Sequence, residues 1–354
     1  MAQQKKDQQT FGSFADLGRY VQANAKHTNL NEAATLAQAG RGDEAAALLD
    51  RHDLGGEPQA ERLRYGWCYV QSAKAAINRA EWSRAHHRLV KALNLGYQPW
   101  HVHRRLGLVN EAAAGAPRVL RPTAGDWVDR CMADCQSCVP EPTPLTCARC
   151  RGILKEPCRP VYQANVARLF ALGVYRWQGD PDSFNPLSRM IRWLKGNEGK
   201  DSCRYLAYLL VEGLREHEGS QFLVEADVVV PVPSDPQRGR ERGFDNIMEL
   251  ASHVEGLALL PLARDVLLKT RPTEDLRHLA WGQRGAALAG SMEVAAGRRH
   301  LVADATVLLV DDVVTSGSTL DLCAGILRRS GARRVLAAAL ARSESTPASE
   351  RFGG

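Results

Sequence analysis

A chain of 354 residues is long enough for two or three domains, each with its own core. Hydrophobic residues make up 44% and charged residues 24%, ordinary values for a globular protein, and no run of 18 or more apolar residues occurs, which excludes a membrane-spanning helix. The net charge of +6, from 46 basic and 40 acidic residues, permits contact with phosphates or DNA without requiring it; solvated faces of both signs are the favoured account of it.

The first residues, MAQQKKDQQT, are polar and lack an apolar export segment, so a cytoplasmic location is expected. Residues 1–12 and the Ser-rich end 343–354 read as disordered tails. Between them, residues 13–120 read as helical throughout: Ala, Leu, Arg and Glu dominate, apolar residues recur at three- and four-residue steps, and Gly or Pro marks the breaks. A weak internal repeat is visible. AQAGRGDEAAALLD around Ala45 matches NRAEWSRAHHRLVKAL around Ala85, each a helix end, a short turn and an alanine-punctuated helix. With Ala85 at the small position of a second repeat helix, Ala92, Pro99 and Leu106-Gly107 fall where a 34-residue tetratricopeptide-type repeat puts its small residue, proline and Leu-Gly pair. The earlier unit is displaced by six residues, so the region resembles such an array only degenerately, and a plain helical bundle stays open. Either architecture suggests a docking surface for a protein partner rather than chemistry.

Residues 128–160 hold six of the nine cysteines, between Cys131 and Cys158. Cys135-x2-Cys138 and Cys147-x2-Cys150 supply four thiolates, enough for a tetrahedral, structural Zn2+, with Cys131 and Cys158 as alternates. A redox dithiol is the competing reading, but no βαβ unit lies beside either CxxC.

Residues 161–342 change texture. β-rich apolar runs at 171–175, 227–233, 306–310 and 335–341 alternate with helical stretches at roughly 185–196, 200–216, 243–255 and 318–330. Such alternation predicts an α/β fold: a mostly parallel sheet flanked by helices. Its most informative segment is Val307-Leu-Leu-Val-Asp-Asp-Val-Val-Thr-Ser-Gly-Ser-Thr319. Four apolar residues read as a buried strand ending in Asp311 and Asp312, and a Thr/Ser/Gly loop opens a helix that Gly331 closes. Amides and hydroxyls of Thr315, Ser316, Gly317, Ser318 and Thr319 at a helix N-terminus favour a phosphate monoester, and the acid pair suits a sugar's vicinal hydroxyls. The acids also suggest a nucleotide hydrolase, but no G-x-x-x-x-G-K-[ST] loop accompanies them, and no G-x-G-x-x-G marks a dinucleotide fold.

The segment resembles the phosphoribosyl pyrophosphate motif of type I phosphoribosyltransferases. Val229-Val-Pro-Val-Pro-Ser234 followed by Arg238-Gly-Arg-Glu-Arg-Gly-Phe-Asp245 is similar to a block of the ComF family, competence-associated phosphoribosyltransferase-like proteins. So are Val174-Tyr175 with Leu194-Lys195-Gly196, the upstream Cys knuckle, and Arg271, Thr273 and Arg284. The resemblance covers about residues 130–342; Ser316 stands where Thr is commoner in the motif, and the helical region falls outside it.

This resemblance implies that Asp311 and Asp312 hold the ribose hydroxyls and Thr315–Thr319 the 5′-phosphate. Ser234, Arg238, Arg240 and Arg242 would belong to a pyrophosphate loop, although alternation with Glu241 fits a solvated face as well. Residues 270–285 would form a flap, with Lys269, Arg271 and Arg284 available to the leaving group, and Mg2+ would accompany phosphoribosyl pyrophosphate. Three functions follow: transfer of ribose 5-phosphate to a base or amine, a non-catalytic nucleotide or phosphoribosyl sensor in DNA uptake or processing, and a DNA binder acting through the zinc element.

Overall fold

The computed structural model describes residues 27–97, 99–115, 165–175, 186–196, 200–216, 221–235, 239–241, 243–271 and 290–343. The Cys-rich element, residues 1–12 and 344–354 of the tails, Arg238, Arg242, Thr273 and Arg284 lie outside the described residues; Ser343, expected in the second tail, ends a strand. The chain divides into two compact units, one ending at Asn110 and the other beginning at Glu111.

The first unit is helical: α1 (residues 27–38), α2 (Gly42–Leu49), α3 (Gln59–Asn78), α4 (Trp82–Asn94) and α5 (Trp100–Ala113). The turns α1–α2 and α3–α4, matched in the sequence, have the same construction. Gly40 and Ala80 both take positive φ, 79° and 58°. Arg41 N donates to Leu36 O and Glu81 N to Ala76 O, at 2.8 and 2.9 Å. Ala45 and Ala85 then sit fully buried one turn into the next helix. Small residues are needed there because the helices approach closely: a Cβ on Gly42 would lie 2.7 Å from the backbone of Gln71 and Ser72. Asp50, just past α2, ties the helices together by accepting from Tyr69 Oη at 2.8 Å, Lys91 Nζ at 2.6 Å and the Arg88 guanidinium. Desolvation would raise its pKa, but the hydrogen bonds from Lys91, Arg88 and Tyr69 outweigh it and hold the carboxyl below its ordinary range.

The second unit contains β1 (Arg168–Tyr175), α6 (Pro186–Leu194), α7 (Lys200–Glu216), α8 (Gln221–Glu225), β2 (Val228–Pro231), α9 (Asn246–Ala258), β3 (Leu267–Lys269), β4 (Met292–Val294), β5 (Thr306–Val314), α10 (Ser318–Arg329) and β6 (Arg334–Ser343). Four strands form one parallel sheet in the order β1-β6-β5-β2, the architecture that the strand–helix alternation predicts. Leu308, Val310, Leu336, Ala338 and Leu340 pack with α6, α7 and α9 into one apolar cluster. The remaining two strands, β3 and β4, form a separate antiparallel pair, and neither they nor the five-residue α8 show enough periodicity to be legible in the sequence.

Several element ends differ from expectation by a few residues, and the difference in β5 bears on the site. The strand expected to end at Val310 runs on to Val314, because β6 offers a partner throughout: Asp311 pairs with Ala339 and Val314 with Arg342. The acid pair therefore lies inside the strand. Among the described residues, no helix is long and apolar enough to cross a membrane.

Candidate functional site

The site begins with unequal strand lengths. β2 pairs with β5 only as far as Pro231 opposite Val310, and Val232 N makes the last bond, to Val310 O at 2.9 Å. Beyond that level β5 continues for four residues while the chain after β2 turns away. Asp311 and Asp312 thus stand at the carboxyl end of the sheet, beside the loop Val232–Asp235. The chain leaves β2 towards α9 and β5 towards α10. Neighbouring strands whose following helices lie on opposite faces leave a crevice at their carboxyl ends, where open α/β sheets bind ligands.

Because successive strand residues face opposite ways, the two acids differ. Asp312 faces the α6–α9 side: its Oδ2 receives Lys195 Nζ at 3.1 Å and Asn246 Nδ2 at 3.3 Å, and its Oδ1 receives Val313 N at 2.6 Å. Asp311 is 8% exposed and accepts the Asp312 amide at 2.8 Å. Burial, then the neighbouring Asp312 charge, pushes the Asp311 pKa up to about 7; the Lys195 charge opposes this. On the α10 side, burial and then the Asp311 charge push the Cys323 thiol up, which keeps it protonated and unreactive.

After β5, Thr315, Ser316 and Gly317 form the loop and Ser318 opens α10. Gly317 has φ 78°, the left-handed region that glycine enters without steric cost. Ser316 and Ser318 share a hydrogen bond between their hydroxyls at 3.0 Å, so those two groups are partly engaged with each other. The first intrahelical bond runs from Asp321 N to Gly317 O at 2.9 Å, so the Thr319 and Leu320 amides precede the ladder at the positive end of the helix dipole.

The two ends of the Ser234–Asp245 block meet. Ser234 Oγ donates to Asp245 Oδ2. Asp245 also caps α9, its Oδ1 accepting from Ile247 N and Met248 N at 3.0 Å each. Arg240 is exposed on a helical turn at 239–241. Lys269 pairs with Asp235 at 3.3 Å, which brings β3 to the loop after β2, and Arg271, exposed, follows two residues later. The structure thus brings together Asp311, Asp312, the 315–319 loop, Ser234 and Lys269 around the ends of β2 and β5. Sequence reasoning gave no separate role to Lys195, Asn246 or Asp235. Only for Lys195 did a signal exist, its place in the Leu194-Lys195-Gly196 motif.

Two carboxylates, one engaged by Lys195, do not make a metal cage, and among the described residues no group of three or more His, Cys, Asp or Glu could hold a metal ion. Mg2+ arriving with a pyrophosphate ligand would be held chiefly by that ligand's oxygens.

Comparison with known proteins agrees with this geometry. Residues 269–353 match the family model "Phosphoribosyl transferase domain". Competence protein F of Haemophilus influenzae is 27% identical over 158 residues, covering 45% of this chain and 69% of that protein. No solved structure matches. A parallel sheet with an acid pair and hydroxyl loop at its carboxyl end, together with these two matches, makes the second unit similar to phosphoribosyltransferase domains and to a competence protein of the ComF type.

Proposed function

We propose that the second unit binds phosphoribosyl pyrophosphate and transfers ribose 5-phosphate to a base or amine. The observation that carries this reading is the continuous run of acid pair, Ser/Thr/Gly loop and helix N-terminus at the end of β5. In this reading the amides and hydroxyls of Thr315–Thr319 take the 5′-phosphate, and Asp311 and Asp312 accept the ribose hydroxyls. Ser234, Arg238, Arg240 and Arg242 would serve as the contacts for the pyrophosphate. The flap residues Arg271 and Arg284, with Lys269, offset charge that develops on the leaving group. The C1–O bond to pyrophosphate breaks, the acceptor nitrogen bonds to C1 and loses its proton, and pyrophosphate leaves with Mg2+. Preorganised charge and water exclusion supply the acceleration.

The test is incubation with phosphoribosyl pyrophosphate, Mg2+ and a panel of bases and amines, with released pyrophosphate measured. Release at least about tenfold above that of Asp311→Asn/Asp312→Asn supports transfer. Saturable binding without release supports a second reading, a nucleotide or phosphoribosyl sensor. That reading is favoured by the competence protein among its relatives and by a helical unit suited to docking a protein partner. Neither binding nor release overturns both.

In either reading Zn2+ sits in the Cys131–Cys158 element, with Cys135, Cys138, Cys147 and Cys150 as ligands, and DNA contact through it would show as affinity that falls steeply with salt. The α1–α5 unit fits a tetratricopeptide-like array, on the strength of its two identically built turns.

A further inference from the structure

Lys195 follows the last turn of α6 and reaches the acid pair from the sheet face opposite α10. Its Nζ lies 3.1 Å from Asp312 Oδ2 and 5.5 Å from the centroid of the Tyr175 ring. Asn246, the first residue of α9, donates to the same oxygen at 3.3 Å, and the Val313 amide takes the other oxygen. Three donors on three different elements therefore hold one carboxylate, and the only charged donor of the three comes from Lys195. A carboxylate has about four lone-pair sites, so this arrangement leaves about one for an incoming hydroxyl and sets its direction.

We infer that Lys195 is a positioning residue for the acid pair: it holds the Asp312 carboxylate in place and puts a positive charge beside the pair so that the pair can accept hydrogen bonds from a sugar. The inference deepens the phosphoribosyl reading above and, as a statement about a ligand, rests on it. Two adjacent acids at a partly buried sheet end repel each other, and a cation on one of them offsets this without blocking the other. Other groups facing the pair do not replace it. Tyr175 underlies the Lys195 ammonium, Cys323 on the α10 side is a protonated thiol, and Pro231 of β2 carries no charge. Asp245 is engaged in capping α9. Arg342 of β6 pairs in register with Val314, two residues past Asp312. The Asp312 amide hydrogen bond and then the Lys195 charge keep Asp311, although buried, from being raised further.

The experiment uses the full chain, with Lys195→Met and Lys195→Arg beside the wild type. Carboxyl titration by 13C-aspartate NMR is followed in ligand-free protein, and affinity for phosphoribosyl pyrophosphate with Mg2+ is measured by calorimetry from pH 6 to 9. The acid pair of Lys195→Met should titrate at higher pH than that of the wild type. Its affinity should fall about tenfold at pH 7 and recover to within about threefold at pH 9, as each pKa unit is worth a factor of ten in the ionised fraction. Lys195→Arg should restore both. A loss of affinity equal at every pH, with unchanged carboxyl titration, would mean that Lys195 touches the ligand directly and would overturn the inference. So would a lowered melting temperature with unchanged titration. If the wild type binds no phosphoribosyl pyrophosphate, the phosphoribosyl reading fails, and the NMR titration alone decides whether the Lys195 charge acts on the acid pair.

Discussion

At the scale of single residues, the acid pair carries a thermodynamic consequence that is measurable without any ligand. A carboxyl whose folded pKa is raised keeps its proton over a pH range in which the unfolded chain has lost it. The unfolded state then binds fewer protons, so stability falls as pH rises through that range. For Asp311, raised to about 7, the decline runs from about pH 4 to about pH 7 and then levels off. Its size is about 4 kcal/mol at the most, and less to the extent that Lys195 and relaxation of the site share the cost. Denaturant unfolding at pH 5 and pH 8 should show the wild type losing stability between these values. Asp311→Asn, which has no proton to lose, should show a smaller loss. Asp245 offers a second test. It caps α9 with two amide bonds and also accepts from Ser234, so Asp245→Ala should cost about 1–2 kcal/mol in denaturant unfolding. Asp245→Asn, which keeps an acceptor oxygen, should cost less.

At the scale of elements, close approach between neighbours decides which substitutions the fold tolerates. A Cβ on Gly42 would sit 2.7 Å from the backbone of α3, and backbone cannot rotate aside. Gly42→Ala should therefore destabilise the helical unit by about 1–3 kcal/mol in thermal or denaturant unfolding, although alanine has the higher helix propensity. Gly213 of α7 is a contrasting case. A Cβ there would lie 2.7 Å from Leu172 Cδ1 and 3.0 Å from Phe170 Cζ, both at the ends of side chains that can shift. Gly213→Ala should consequently cost less than Gly42→Ala, about 1 kcal/mol, with Gly213→Val costing more. If the ranking were reversed, backbone contact would not be the controlling factor.

At the scale of the whole molecule, the two compact units have separate chemistry. The helical unit is cross-linked by surface ion pairs and alanine contacts, and the sheet unit by a continuous apolar cluster. The segment with six cysteines, Cys131 to Cys158, lies outside the described residues, and structural zinc is proposed in it. Purified protein should carry about one zinc per chain by elemental analysis, and Cys138→Ser with Cys147→Ser should remove it. A bound metal at the level of wild type in that double variant would sink the proposed ligand set.

The alternation of apolar runs with helical periodicity was enough to predict the parallel α/β sheet, since burial on both faces demands such strands. The acid pair, the hydroxyl loop and Gly317 were legible for the same reason: each is a local departure from what an ordinary strand and helix would contain. The repeated turns of the helical unit left a mark in Gly40, Ala45 and Ala85, because tight packing permits only small residues. Other features depended on chain segments far apart in sequence. That β5 continues through Asp311 and Asp312 depends on β6 lying alongside, and that β2 stops short depends on the chain leaving the sheet after Val232. The hold of Lys195 and Asn246 on Asp312 joins residues 117 and 66 positions away. No local pattern encodes such contacts. The sequence by itself determined which groups are available at the end of β5; only the tertiary structure decided that one acid is held by a cation while the other is buried and raised towards neutrality, because desolvation and charge pairing are properties of the assembled site.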